Sequence, residues 1–483
     1  MVAQKDFKRI EKYVWELPKS HRQDMRVPAR LLANPELFKN AFDDKSMEQL
    51  ANVTTLPGIV KYAMAMPDFH QGYGFPIGGV AATRKDSGVI SPGGVGYDIN
   101  CGVRLLGSTV TAEEVRPHIR DLASALYQAC PSGVGEDGRR SVSDAELTQI
   151  VTKGARWALK QGLAHEEDIA HTEEQGCMDG ADPSKLSARA RDRARSQVGS
   201  LGAGNHFIEV DEVTEIYDPD VADAFRLSQG QIVVQIHCGS RGFGHQVCTD
   251  YVKELQSAIH KYDISLPDRQ LVCVPVDSPE GKAYFGAMAC AVNYAFVNRQ
   301  ILAQGARLAF ELVLAGKVSD HNLYQVYDVA HNIAKFEKHE VDGKQETLMV
   351  HRKGATRSFG PSRPEVPPAY RDVGQPVMVP GSMGTASYVM VGTDKALDVS
   401  FGSTCHGAGR TMSRTEARKS IWGADLRQEL EASGIVIQAG SMKGLAEEAP
   451  AAYKDISQVV EVVHGLGIAR KVARLEPLAV IKG

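Results

Sequence analysis

Ile232-Val233-Val234-Gln235-Ile236-His237-Cys238-Gly239-Ser240-Arg241-Gly242 is the stretch from which the fold is most readily read. A compact β-branched run, Ile232 to Ile236, has the composition of a buried strand. It runs directly into a histidine and a glycine turn, so a strand ends where a chemically capable side chain begins. Downstream, residues Gly281 to Leu314 carry AMACAVNYAFVNRQILAQGARLAFELVL. This run is apolar on most faces, which predicts a helix central to the core. Upstream, Ile77 to Ala82 suits a strand set among turns such as Pro67-Asp68-Phe69-His70-Gln71-Gly72 and Ser91-Pro92-Gly93-Gly94. Ser143 and Glu146 form a capping box ahead of Leu147, Ile150 and Val151, predicting a helix there. Lys353 to Arg410 reads as turn-rich, and a helical pattern returns over Arg414 to Ser433. No internal repeat or low-complexity linker divides the chain. Separate strand and helix stretches imply an α+β fold, a single large mixed domain over residues 1–483.

The bulk composition excludes more than it assigns. Of 483 residues, 43% are apolar, which is enough for an ordinary core. The opening MVAQKDFKRIEKYVWELPKS is charged and lacks an apolar run of signal-peptide length. No stretch approaches the roughly 20 apolar residues that cross a bilayer. These features lead us to expect a soluble, cytoplasmic protein with no membrane partner. Eight cysteines without a CxxC pair are not a secreted disulfide framework. The net charge of −4 does not mark a nucleic-acid binder, so local basic patches would have to serve.

Chemistry concentrates in five glycine-flanked motifs: Gly96-Tyr97-Asp98-Ile99-Asn100-Cys101-Gly102, Gly202-Ala203-Gly204-Asn205-His206-Phe207-Ile208-Glu209, His237-Cys238-Gly239-Ser240-Arg241-Gly242, Tyr327-Asp328-Val329-Ala330-His331-Asn332, and Gly402-Ser403-Thr404-Cys405-His406-Gly407-Ala408-Gly409-Arg410. Asp, Cys and His are the side chains that bind transition metals well. A histidine at a strand end, followed by glycine, can point into a cleft without being packed over. Singly, each is also what a satisfied core histidine or a small buried cysteine looks like. The long separations rule out a spacing argument of the zinc-finger kind. On residue chemistry alone the set supports a metal or phosphate site and goes no further. Cys238 and Cys405 neighbour functional-looking histidines, point elsewhere on their strands, and read as packing residues.

Taken in order, the five motifs resemble the RtcB family of RNA-splicing ligases. The resemblance begins at PDFHQGYGFPIGG from Pro67 and ends at Ala479-Val480-Ile481-Lys482-Gly483, covering nearly the whole chain. It implies a domain with a central metal and nucleotide cleft. It implies that Asp98, Cys101 and His206 hold one manganese ion and that Cys101, His237 and His331 hold a second, the thiolate bridging. It further implies that His406 becomes guanylated from GTP and that Asp68 orients it. A guanylate site would comprise Asn205, His206, Glu209, His331, Asn332, Pro380, Gly381, Ser382, Met383, Ser387, His406, Gly407, Ala408, Gly409 and Lys482. The implied partners are RNA, as tRNA halves or broken ends, and an archease-type activator. Manganese enters only through the resemblance, since a Cys-plus-His set by ligand softness suggests zinc.

The physics agrees with these roles. Histidine attacks phosphorus only as neutral imidazole, and a carboxylate at the other ring nitrogen fixes the tautomer. RNA requires basic contacts. Arg189, Arg191, Arg193, Arg195 and the His351-Arg352-Lys353 turn are candidates, with Arg241, Arg410 and Arg414 adjoining the proposed centre; Arg241, Lys353, Arg410 and Arg414 are taken as the RNA contacts. Such contacts mostly meet phosphate and position RNA without reading its sequence. Two rival readings use the same residues. A dinuclear metal phosphoesterase needs neither a covalent His406 nor Lys482. A nucleotide-binding module without catalysis leaves five candidate metal ligands unexplained.

Overall fold

The computed structural model describes residues 2–133, 135–138 and 141–483. Two large sheets organise it. One has seven strands in the order Lys8–Glu11, Val14–Leu17, Ala29–Leu32, Ala63–His70, Ile77–Arg84, Lys344–Lys353, Asn332–Val341. The other runs Tyr324–Ala330, Gly102–Thr111, Gln231–Cys238, Phe207–Ile216, Ala469–Lys482, Ser387–Gly392, Pro376–Val379, with Val436–Ala439 added in parallel to Ala469–Lys482. Mixed pairing and helices grouped outside the sheets make the fold α+β. The strand read at Ile232–Ile236 extends to Gln231–Cys238 and is buried at every position, including Gln235, whose Nε2 donates to Asp211. The strand read at Ile77–Ala82 is Ile77–Arg84.

The long helix spans Pro279–Leu314, 36 residues, begun by the Ser278 side chain accepting from Gly281 N. At 1.5 Å per residue it is about 54 Å long. Its middle is wholly buried, and its polar residues there are used: Asn293 donates to Val151 O, Asn298 to Ser200 O, Arg299 to Cys238 O and Gln300 to Leu163 O. Ser143 caps the helix Asp144–Lys153 by accepting from Glu146 N at 3.2 Å. No helix among the described residues is long and apolar enough to cross a membrane.

Two expectations need correcting. The single helical stretch over Arg414 to Ser433 is two helices, Arg414–Ser420 and Gly423–Ala432. The break at Ile421-Trp422 lets Ile421 pack onto Leu426 and Leu430, while Gly423 passes so close to Met442 that a Cβ there would lie 2.0 Å from the carbonyl oxygen. The stretch Lys353 to Arg410, read as turn-rich, also contains Ala355–Arg357, Pro376–Val379, Ser387–Gly392 and Ser403–Cys405 as short strands. Each pairs with a partner distant in sequence or across a tight turn, which no local periodicity reveals.

Candidate metal and nucleotide site

Strand register builds the site. Gly102 pairs with Cys238, Val103 and Phe207 both pair with His237, and Ala330 pairs with Gly102. Cys101, His206, His237 and His331 therefore emerge at the same end of four adjacent strands. His331 sits between Tyr324–Ala330 and Asn332–Val341, where the chain leaves one sheet for the other. Asp68 arrives from the first sheet, near the end of Ala63–His70.

Two groups of side chains converge tightly enough to hold metal: Asp98 with Cys101 and His206, and Cys101 with His237 and His331, the ligand atoms in each lying within 4.8 Å of one another. Cys101 belongs to both. Its Sγ is 3.5 Å from His206 Nε2 and 3.3 Å from His237 Nε2, and the Nε2 atoms of His237 and His331 face each other at 3.3 Å. Asp98 Oδ2 lies 2.8 Å from His206 Nε2, while Asp98 Oδ1 is buried without a partner. His206 Nδ1 lies 3.0 Å from the Leu201 carbonyl, which can only accept, so Nδ1 carries a proton and Nε2 is the atom turned to Asp98 and Cys101.

The electrostatics point the same way. Burial holds His237 and His331 well below the usual imidazole range, helped by neighbouring histidines, so both present neutral rings. Burial, then the Asp98 charge, pushes the Cys101 thiol up to about 12. Burial would raise the Asp98 carboxyl, but His206 holds it down at about 2. Two neutral imidazoles, a third imidazole paired with a carboxylate, and one shared thiol converge here. The donor set fits a pair of metal ions sharing Cys101.

A buried ion network holds this end of the sheet. Asp328, fully buried, accepts from Arg104 Nε at 2.8 Å and Arg299 Nη2 at 2.7 Å. Arg299 also donates to the carbonyls of Asn100 and Cys238, each at 2.8 Å, clamping the Cys101 loop to the end of the His237 strand. Asp328→Ala leaves two buried guanidiniums without their carboxylate, and should cost about 3–5 kcal/mol. Denaturant unfolding measures it, and a loss under about 1 kcal/mol would show the network to be dispensable.

His406 stands beside the cluster, its ring centroid 4.9 Å from that of His331. Its Nδ1 is 2.5 Å from Asp68 Oδ2, which also accepts from His406 N at 2.9 Å and Gly407 N at 3.3 Å. Asp68 is fully buried. A carboxylate at Nδ1 puts the proton there and leaves Nε2 as the free lone pair. The turn that follows needs glycine: Gly409 has φ 73°, and a Cβ would lie 2.0 Å from Asp68 O.

A cavity of about 340 Å³ opens in front of His406. Asn205, Asn332, Pro380 to Met383, His406 to Gly409 and Lys482 line it together with His331 and Cys101. Glu209 and Ser387 lie behind this wall: Ser387 Oγ accepts from Gly381 N at 3.1 Å, and Glu209 is 4% exposed. Asn332 is already engaged at both ends, to Asp98 O and Gly354 N.

The four basic candidates fare differently. Arg241 (φ 56°) and Arg414 line a second, adjoining cavity of about 770 Å³, and Arg414 lines the first as well. Lys353 is placed otherwise than expected. It is buried, and its ammonium donates to the carbonyls of Tyr73, Phe75 and Gly93, so it has no donor left for RNA and instead ties down the glycine loops. Arg410 makes four hydrogen bonds, to Met412 O, Glu448, Tyr453 Oη and Glu447 O, which makes it a brace of the cavity wall rather than a free phosphate contact. Cys405 is buried in the strand pair ahead of His406, and Cys238 is buried behind His206, receiving Asn298 Nδ2 at 3.1 Å.

Sequence reading missed two acids. Glu448, 2% exposed, gathers Tyr453, Arg410 at 3.3 Å, Arg414 at 3.5 Å and Lys482 at 3.9 Å. It sits in an ordinary AEEAP context, and nothing local distinguishes it from Glu447. Asp211 is buried two residues along the strand from Glu209, and burial pushes its carboxyl up to about 7. The alternation Glu209-Val210-Asp211 in a strand was the available signal, since it puts both acids on one face.

Comparison with known proteins agrees with this geometry. A family profile described as "tRNA-splicing ligase RtcB" matches residues 49–483. The "tRNA-splicing ligase RtcB" of Archaeoglobus fulgidus is 54% identical over 476 residues, 99% of this chain and 98% of that one. That of Thermococcus kodakarensis is 52% identical with the same coverage. The "RNA-splicing ligase RtcB" of Mycobacterium bovis is 49% identical over 90% of this chain and all of its own. With the match running through every strand end that bears a candidate ligand and through His406 to the last residue, the chain belongs to the RtcB family.

Proposed function

We propose that this RNA ligase joins an RNA 3′-phosphate end to a 5′-hydroxyl end with GTP, through a guanylated His406. The observation that carries the reading is the pairing of His406 Nδ1 with buried Asp68, beside a converging set of metal-type ligands. His406 Nε2 attacks the α-phosphorus of GTP; the N–P bond forms as the bond to pyrophosphate breaks. The Nδ1 proton stays shared with Asp68, which offsets the positive charge arising on the ring. An oxygen of the RNA 3′-phosphate then takes the guanylate, and His406 returns to neutral imidazole. The 5′-hydroxyl attacks the activated phosphorus, a phosphodiester forms and GMP leaves. A 2′,3′-cyclic phosphate is opened before the second step. Asp98, Cys101, His206, His237 and His331 would hold two manganese ions, which supply charge neutralisation at the phosphate oxygens. Lys482, on the cavity wall, would donate to an acceptor on the edge of a guanine base, with the Glu209 carboxyl buried behind it.

We also treat residues 1–483 as one catalytic unit. The strands Lys8–Glu11, Val14–Leu17 and Ala29–Leu32 belong to the sheet that carries Asp68 and have no other partner sheet. Transfer of label from α-labelled GTP to the protein, followed by ligation of a 3′-phosphate RNA, tests the reading. A metal phosphoesterase would give neither.

Arg414 separates the guanylation and ligation steps. It is half exposed, lies 3.5–3.6 Å from Glu448 and Glu447, and faces both cavities. Arg414→Ala should spare self-guanylation and slow ligation by about tenfold, the low end for a charge-assisted contact because the glutamates and solvent already share the guanidinium. A parallel fall in guanylation would move Arg414 into the GTP site.

A further inference from the structure

A second cavity adjoins the reaction centre, sharing Arg414 with it. Its wall carries Arg241, Arg414, Arg418 and Lys443 against Glu136 and Glu447. Arg414 belongs to both cavities, so a strand whose end lies at His406 can leave along this wall without crossing the protein. Trp422, 79% exposed, stands between the helices Arg414–Ser420 and Gly423–Ala432, four residues beyond Arg418, which lines the cavity. Beside it is Met442, 37% exposed, whose carbonyl oxygen approaches Gly423 so closely that no side chain fits there. The two exposed apolar side chains thus border the same wall: Met442 lies between Ser441 and Lys443, both of which line the cavity, and Arg418, which lines it too, is on the helix just before Trp422.

An indole left in water costs free energy unless something covers it. The break that projects it is built: Ile421 turns inward, Gly423 permits the close approach, and Trp422 is left at the corner. The remaining question is what covers it. The patch is one ring and one thioether wide, which is small for a protein partner. It adjoins a cation-lined wall, which suits a phosphate backbone. Proteins that hold single-stranded nucleic acid combine these two elements, a basic groove for the backbone and an aromatic face for a base. We infer that Trp422 is a stacking platform for a base of the RNA strand, a nucleotide or more beyond the reacting end, with Arg414, Arg418 and Lys443 meeting the intervening phosphates. This rests on RNA being the substrate.

The chain offers a direct readout. Of its three tryptophans, Trp157 is buried and Trp15 is stacked on Phe38 with centroids 3.7 Å apart, so Trp422 is the indole open to solvent. Titration of the full-length protein with single-stranded RNA of about ten nucleotides carrying a 3′-phosphate should quench its fluorescence saturably. Trp422→Ala should abolish that quench and weaken RNA affinity roughly five- to a hundredfold, while Trp422→Phe should recover most of the affinity. The slope of log affinity against log salt should be unchanged in Trp422→Ala, because stacking releases no counterions, and shallower in Arg418→Ala. Self-guanylation of Trp422→Ala, measured without RNA, should match the wild type and certifies the fold. Unchanged RNA affinity in Trp422→Ala, with wild-type ligation intact, overturns the platform alone. So does unchanged RNA affinity with lost stimulation by a protein activator, which would make the patch a protein contact. Absence of both guanylation and ligation in the wild type would instead overturn the functional reading.

Discussion

His406→Ala retains no label from α-labelled GTP and ligates no RNA, a loss on the order of 10⁴-fold or more that takes both activities to background. The reason is stereochemical. A phosphoramidate needs a neutral imidazole with one lone pair aimed at phosphorus, and His406 is the cavity histidine whose Nδ1 is held by a buried carboxylate. Asp68 Oδ2, 2.5 Å from His406 Nδ1, leaves Nε2 free. His331 is the nearest other imidazole and lines the cavity, but its Nε2 is turned to His237 Nε2 at 3.3 Å and it is 2% exposed. The Nε2 of His206 is turned to Asp98. Asp68→Asn should keep the nucleophile but lose the fixed tautomer, cutting guanylation by about 10²- to 10⁴-fold. A graded pair of variants therefore distinguishes nucleophile from positioner. In the wild type, the label should be acid-labile and alkali-stable, as a P–N bond is. Label surviving on His406→Ala would sink the assignment.

Cys101→Ser empties both metal positions, whereas His206→Ala empties mainly one. Cys101 Sγ is the atom common to the two ligand groups, and His206 belongs only to the group with Asp98. A serine hydroxyl does not ionise under a cation as a thiol does, so the shared ligand vanishes from both sites at once. Loss of His206 leaves Cys101, His237 and His331 in place around the other position. Metal analysis of the purified variants should find content near zero for Cys101→Ser and about half the wild-type value for His206→Ala. Guanylation should fall to background in Cys101→Ser. Full metal occupancy in Cys101→Ser would remove the bridge. Equal losses in both variants would mean that the two positions fill cooperatively, and that sharing a ligand does not explain them.

Part of the protein was settled by local sequence alone. The β-branched run before His237 made a buried strand, and the apolar run after Gly281 made a buried helix, because side-chain shape and burial act over a few residues. The order of the glycine-flanked motifs also sufficed for the family resemblance. The grouping of Cys101, His206, His237 and His331 was implied by that resemblance but not by any spacing, since they are up to 230 residues apart; the register of four strands decides it. Register is fixed by long-range pairing and by the Arg104–Asp328–Arg299 network, neither of which leaves a periodic trace. The same limit governs the basic residues. Lys353, Arg410 and Arg414 look alike in sequence, yet Lys353 is spent on three carbonyls, Arg410 on four acceptors, and only Arg414 keeps half of its side chain in solvent. A lysine or arginine is written with its donors; whether they remain free is decided by the carbonyls and carboxylates that the fold brings within reach, and those come from other parts of the chain.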